Sequence, residues 1–250
     1  TKQNKMSNTI IHKSSYLVEE DFLRNVQVPT QERIYKPISY GNIVDTIELV
    51  LDKDNIPVSN RKFLAAKKGN QATIHYTLNI FDDKEQAVQI VAQNSYDKSM
   101  SFKFCCSSEV FVCSNGLIIA NSNRVFKKKH VGEIQTLTPQ KIYEFVFNAA
   151  EEFNTYISYR ELLKNYDLNK SAVHSLVGKL FLDEQIVNTD QLNILKREIM
   201  SPSYNYGTDG NSAWDFYNHV TAALRTSHPS NWVNNHIAFD EFINENLSLN

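Results

Sequence analysis

A change of hydrophobic period near residue 130 constrains this chain more than any other feature. From about residue 57 to 121, apolar and β-branched residues alternate with polar ones, and after about 135 they recur every three or four residues. A period of two belongs to a pleated strand and a period near 3.6 to a helix. In 72–80, Ile74, Tyr76, Leu78 and Ile80 fall on one face and Thr73, His75, Thr77 and Asn79 on the other. Residues 81–85 read as a turn and 87–92 as a strand running back. Residues 101–105 and 109–113 read as two more strands with a turn between them, and 117–120 as the last. Short strands joined by turns imply an antiparallel sheet with one face free to be covered by helices or a ligand.

Beyond 135 the pattern is helical. Thr138-Pro139 is a start signal, followed by Ile142, Phe145, Val146, Ala149 and Phe153 at helical spacing. Asn169 or Ser171 can cap a second helix, 188–200 reads as a third, 211–226 as a fourth and 235–247 as the last. Strands first and helices afterwards define an α+β class: an antiparallel sheet over about 57–121, packed with a helical C-terminal half. Residues 1–38, polar and carrying Pro29 and Pro37, read as an arm with little structure of its own. Residues 40–250 read as one domain, its sheet within 57–130 and its helical part within 138–250. Residues 40–53 fit a helix capped near Tyr40-Gly41-Asn42.

Charge narrows the class of partner. The net charge is -2, yet residues 1–130 hold 18 Lys and Arg against 13 Asp and Glu, while 131–250 hold 8 against 15. Such asymmetry points to one half that faces a polyanion. Arg124, Lys127, Lys128, Lys129 and His130 follow the sheet with Phe126 among them, and Lys67 and Lys68 precede its first clear strand. Lysines neutralise phosphates and aromatic rings stack on bases, the composition of a single-strand-binding groove. A solvated loop is the plain alternative for the lysine run.

Other chemistry finds little footing. The glycines form neither GxxxxGK[ST] nor GxGxxG, so no cradle for a nucleotide phosphate is expected. Cys105 and Cys106, adjacent on a strand, point to opposite faces, and with Cys113 and His130 they make a poor metal set. Cys113 with His130 lacks an orienting third group for nucleophilic catalysis. Asp82-Asp83 reads as a solvated turn pair. No catalytic residue, metal or cofactor is expected. No apolar run approaches the length of a membrane span, and the opening residues do not resemble a signal peptide, so cytosol is the expected compartment.

Three groups of residues carry a family likeness. They are Asn94-Ser95-Tyr96-Asp97-Lys98-Ser99, then Val110-Phe111-Val112-Cys113-Ser114-Asn115-Gly116-Leu117 with Lys129-His130, and last Ala213-Trp214-Asp215-Phe216-Tyr217-Asn218-His219-Val220-Thr221. In order and separation they resemble a phage- and plasmid-borne family known only as domain of unknown function 932. Tyr96 and Lys98 depart from that family's histidine and glycine. The resemblance implies a mobile-element setting, in an infected or element-carrying bacterial cell, and supplies no reaction. Plain physical readings stand beside it. Asn94, Asp97 and Asn115-Gly116 suit turns, Cys113 suits a packed strand end, and Trp214 and Tyr217 suit anchors of a helix on the sheet.

The expected function is therefore that of a nucleic-acid-associated protein, most concretely single-stranded DNA binding or annealing in replication or recombination, by a homo-oligomer. The alternative is a non-enzymatic interaction protein that counters host defence through a host or phage protein partner. Up-and-down strand pairing further predicts that Asn94 and Asp97 meet Ser114 and Asn115 in one polar site at one edge of the sheet.

Overall fold

In a computed structural model, residues 14–110, 115–117 and 125–248 are described. Seven strands form one antiparallel sheet: β1 (Ser15–Val18), β2 (Val58–Ala66), β3 (Gln71–Leu78), β4 (Gln86–Ser95), β5 (Phe102–Val110), β6 (Asn115–Leu117) and β7 (Val125–Lys128). They lie in sequence order from β1 to β6. β7 pairs with the first half of β5, while β6 pairs with its end. The helices are α1 (Glu20–Asn25), α2 (Tyr40–Lys53), α3 (Ile134–Phe147), α4 (Ala149–Lys164), α5 (Lys170–Gly178), α6 (Thr189–Met200), α7 (Ala213–Leu224) and α8 (Trp232–Leu247). The α+β class is as the change of period implies.

The apolar face of the sheet builds the first core. Ile74, Tyr76, Leu78, Ile90, Phe104 and their neighbours pack under α2 and α3, which contribute Ile43, Ile47, Leu51, Ile142 and Val146. Ser39, not Tyr40, caps α2, its side chain accepting from Asn42 N. Asn169 caps α5 by accepting from Ala172 N. A second core lies among the C-terminal helices around α7, every residue of which is buried. There Trp214 stacks on Tyr217, and Tyr217 packs on Phe239 of α8. These aromatics anchor α7 chiefly to other helices; Val110 of β5 is the sheet residue in that cluster.

Four local expectations change. Tyr16-Leu17-Val18 of the supposed arm adds an edge strand to β2, and α1 follows it. Helix α3 begins at Ile134, so Pro139 sits inside it rather than at its start. Residues 101–105 and 109–113 are not two strands: β5 runs unbroken from Phe102 to Val110, with no turn at 106–109. Finally, β3 is buried on both faces. Its Thr73–His75–Thr77 face is covered by the loop before α8 and the start of that helix, where Trp232, Val233 and Ile237 meet Val91 and Cys105.

Candidate nucleic-acid interface

Antiparallel register decides which connections share an end of the sheet. Gln71 lies opposite Ser95, Gln93 opposite Lys103, Lys103 opposite Lys127, and Phe102 opposite Lys128. The β2–β3 turn, the β4–β5 turn and the exit from β7 therefore lie at the same end. Lys67 and Lys68, Lys98, and Lys128-Lys129-His130 come together there, joined by Lys36, whose N–H donates to the His130 carbonyl. Among the sequence-predicted basic residues only Arg124 falls outside the described residues. Asn115, in contrast, lies opposite Val110, at the far end of β5. The expected meeting of Asn94 and Asp97 with Asn115 does not occur, and Ser114 and Cys113 lie outside the described residues. The reason is the unbroken β5: one strand where two were expected sends its continuation to the other end of the sheet.

Asn94 and His130 form the joint of this end. The Asn94 Nδ2 donates to the Ile38 carbonyl at 2.8 Å, and its Oδ1 accepts from His130 Nε2 at 2.6 Å. Burial lowers the His130 pKa, so the ring is held neutral as a structural donor. Tyr35 leans on the His130 ring, and the Lys98 ammonium lies 4.7 Å above the Tyr35 ring. A cavity of about 330 Å³ opens between them, lined by Glu32, Tyr35, Lys98, Lys129 and His130 among others. Two stretches well separated in sequence, 94–99 and 129–130, thus meet directly.

Beside that joint, Asp97 organises the β4–β5 turn. Its Oδ1 accepts from the Ser99 N–H and hydroxyl, and its Oδ2 accepts from Lys67 Nζ at 3.0 Å and Gln71 Nε2 at 3.2 Å. Burial opposes ionisation of Asp97, but the bonds from Ser99 and Lys67 outweigh it and hold the carboxyl below its ordinary range. Tyr96 stacks on Tyr40 at 4.1 Å and accepts from the Tyr40 N–H at 2.9 Å. It is a packing residue that fixes the entry to α2.

The lysines divide by exposure. Lys67, Lys68, Lys98, Lys127 and Lys129 are exposed, and Lys128 alternates to the other face of β7. Lys103 was not singled out by the sequence, yet it is buried beside Lys127 and donates to the Ser230 carbonyl at 2.8 Å. Burial, then the neighbouring Lys127 charge, pushes its pKa down to about 8. Two lysines as direct cross-strand partners repel each other. The carboxylates that pair with this group among the described residues are Asp97, with Lys67, and Glu32, with Lys98. Lys68, Lys127, Lys128 and Lys129 have no ion-pair partner there.

The opposite end of the sheet is built with balanced charge. Arg160, buried on α4, donates to Asp83 Oδ1 at 2.9 Å and Oδ2 at 3.1 Å, and Lys164 meets Glu85 at 2.6 Å. Asp83 is therefore an ion-pair anchor rather than a solvated turn residue. Among the described residues no group of three His, Cys, Asp or Glu side chains is placed to hold a metal ion. No helix among them is long and apolar enough to cross a membrane.

Between the sheet's second face and α8 lies a polar layer that the alternating pattern only hinted at. His75 Nδ1 meets Gln89 Oε1 at 3.2 Å, and Glu109 reaches across β4 to accept from the Thr77 hydroxyl. Trp232 sits between the rings of His75 and His236. His236 is fully buried, and among the described residues neither ring nitrogen has a hydrogen-bond partner.

Comparison with known proteins adds one match. The model of a family described as a domain of unknown function (DUF932) matches residues 34–239. No curated protein and no solved structure matches the chain.

Proposed function

The chain belongs to the domain of unknown function 932 family, which brings no reaction with it, and from the basic end of its sheet we propose that it binds single-stranded DNA. In the mobile-element setting that the sequence resemblance implies, such binding serves annealing during replication or recombination. The observation that carries the reading is the gathering of lysines from separate connections at one sheet end, where among the described residues only Glu32 and Asp97 pair with them. Like charges concentrated without counter-charges repel one another, and a phosphate backbone relieves that repulsion while releasing its own counterions.

Geometry suits a strand rather than a point ligand. From β2 to β7 the sheet takes four inter-strand steps of about 4.8 Å, so Lys68 and Lys127 bracket a track of roughly 19 Å. That length accommodates several consecutive phosphates. A preference for single strands follows from aromatic surface beside the lysines. Phe22 and Lys68 line the same hollow of about 740 Å³, and the exposed Tyr16 ring meets Phe22 edge-on at 6.1 Å. Unpaired bases can stack on such rings, whereas the bases of a duplex are already stacked.

The test is fluorescence anisotropy with a labelled single-stranded oligonucleotide and its duplex across a salt series. Tighter binding to the single strand, with affinity falling steeply as salt rises, is the expected result. Absence of binding at low salt, or binding indifferent to salt, refutes the proposal.

A further inference from the structure

The Asn94–His130 joint fixes which ring nitrogen of His130 carries the proton. Asn94 Nδ2 is spent on the Ile38 carbonyl, so Oδ1 faces His130 and accepts from Nε2. Burial keeps the ring neutral, and a neutral imidazole that donates from one nitrogen presents a lone pair at the other. That other nitrogen, Nδ1, has no partner among the described residues and is open to the cavity of about 330 Å³ that the ring lines. A side chain only 5% exposed thus presents a fixed acceptor to a space in the size range of small-ligand sites.

The rest of the lining supplies donors and apolar walls. Lys98 and Lys129 bring ammonium groups and Ser101 a hydroxyl, while Ile34, Met100 and Val131 are apolar. Glu32, the carboxylate of the lining, already accepts from Lys98 at 2.7 Å, and the Ser99 hydroxyl is taken up by Asp97. Lys98 holds a φ of 60°, a left-handed conformation that favours glycine. Side chains kept in such a conformation collect at ligand clamps.

One neutral acceptor among donors is the complement of an imide edge. Thymine offers that edge, an N3–H between two carbonyl oxygens. Adenine and cytosine offer an amine beside a bare ring nitrogen, and guanine offers one carbonyl beside two N–H groups. We propose that one thymine of the bound strand enters this cavity, its N3–H donated to His130 Nδ1 and its carbonyls accepting from Lys98, Lys129 or Ser101. This site presupposes the single-strand binding proposed above and names the base it takes. In a duplex the N3–H is already donated to adenine, so only an unpaired thymine can use the site. The cavity lies between the β4–β5 turn and the exit from β7, at one end of the lysine track, so a strand on the track can place a base there.

Anisotropy with the full chain at one low salt concentration tests this with three labelled oligonucleotides of equal length: oligothymidylate, oligodeoxycytidylate and N3-methylated oligothymidylate. All carry the same phosphates, so the lysine track alone would bind them alike. Oligothymidylate should bind about tenfold tighter than either of the others. Equal affinities that still fall steeply with salt overturn the thymine site and leave single-strand binding standing; no binding to any of the three overturns both. Oligothymidylate carrying 4-thiothymine, which keeps the N3–H, locates the base by photo-crosslinking without any substitution in the protein. Adducts within residues 98–101 or 129–131 are expected. Adducts confined to other stretches overturn the cavity as the site, whatever the base preference.

Discussion

Replacing His236 with leucine should stabilise the protein and remove part of its acid sensitivity. The side chain is fully buried on α8 beneath Trp232, and both ring nitrogens lack partners. A buried polar atom without a hydrogen bond costs on the order of 1–3 kcal/mol, and an apolar side chain of similar size avoids that cost. A gain of at least about 1 kcal/mol at pH 7 is expected, a rise in Tm of about 2–4 °C for a chain of this length. Burial also pushes the His236 pKa down to about 3, against about 6.5 in the unfolded chain. Between these values the unfolded state binds the extra proton, so stability falls as pH falls and is fully present above about 6.5. From pH 7 to pH 5 this one side chain should cost the wild type about 2 kcal/mol. Urea titrations of wild type and His236→Leu at both pH values measure it. The gap between the two proteins should widen by about that amount at pH 5. A variant less stable at pH 7, or a gap unchanged at pH 5, would refute the reasoning.

Three further substitutions probe the ends of the sheet. Asn94→Leu leaves the Ile38 carbonyl and His130 Nε2 buried without partners, a loss of about 3 kcal/mol in urea unfolding; a loss within experimental error would dismiss the Asn94–His130 joint. Asp83→Ala removes two charge-assisted bonds from the buried Arg160 guanidinium, which keeps Glu161 and Gln86, and should cost about 1.5–3 kcal/mol, whereas Asp82→Ala at the exposed neighbouring position should cost almost nothing; equal effects would contradict the anchor assigned to Asp83.

The fold was legible where a single periodicity ran far enough. The alternation through Ile74, Tyr76 and Leu78 identified β3 and its core face, and helical spacing after 135 identified the second half. Strand length was less legible. Ser107 and Ser108 look like turn residues, but in β5 Ser107 hydrogen-bonds the β4 carbonyl of Gln89, and the strand continues. The unbroken strand exchanges the partners of the 94–99 turn, bringing Lys129-His130 to it instead of Asn115. The lysine run was visible as a run, while its convergence with Lys67, Lys68 and Lys98 depends on register and could not be read from spacing. Lys103 was hidden because a lone lysine in Phe102-Lys103-Phe104 looks like the solvated face of a strand. The loop before α8 buries this face, with Ser230 accepting from Lys103 and Val233 packed on Val91 and Cys105. The Arg160–Asp83 pair spans 77 residues and leaves no local signature.

Charge reversal at the two ends of the sheet tests the central claim most directly. One triple variant carries Lys68→Glu, Lys127→Glu and Lys129→Glu at the basic end; the other carries Lys84→Glu, Lys170→Glu and Lys179→Glu elsewhere on the surface. All six lysines are exposed, and the two variants have the same net charge, so only the position of the change differs. Single-stranded DNA affinity, measured at one low salt concentration by anisotropy, should fall at least about 100-fold for the first variant, the loss of three phosphate contacts. The second should fall far less, through long-range repulsion alone. Equal losses in the two variants, or the larger loss in the second, would contradict a binding track at this end of the sheet.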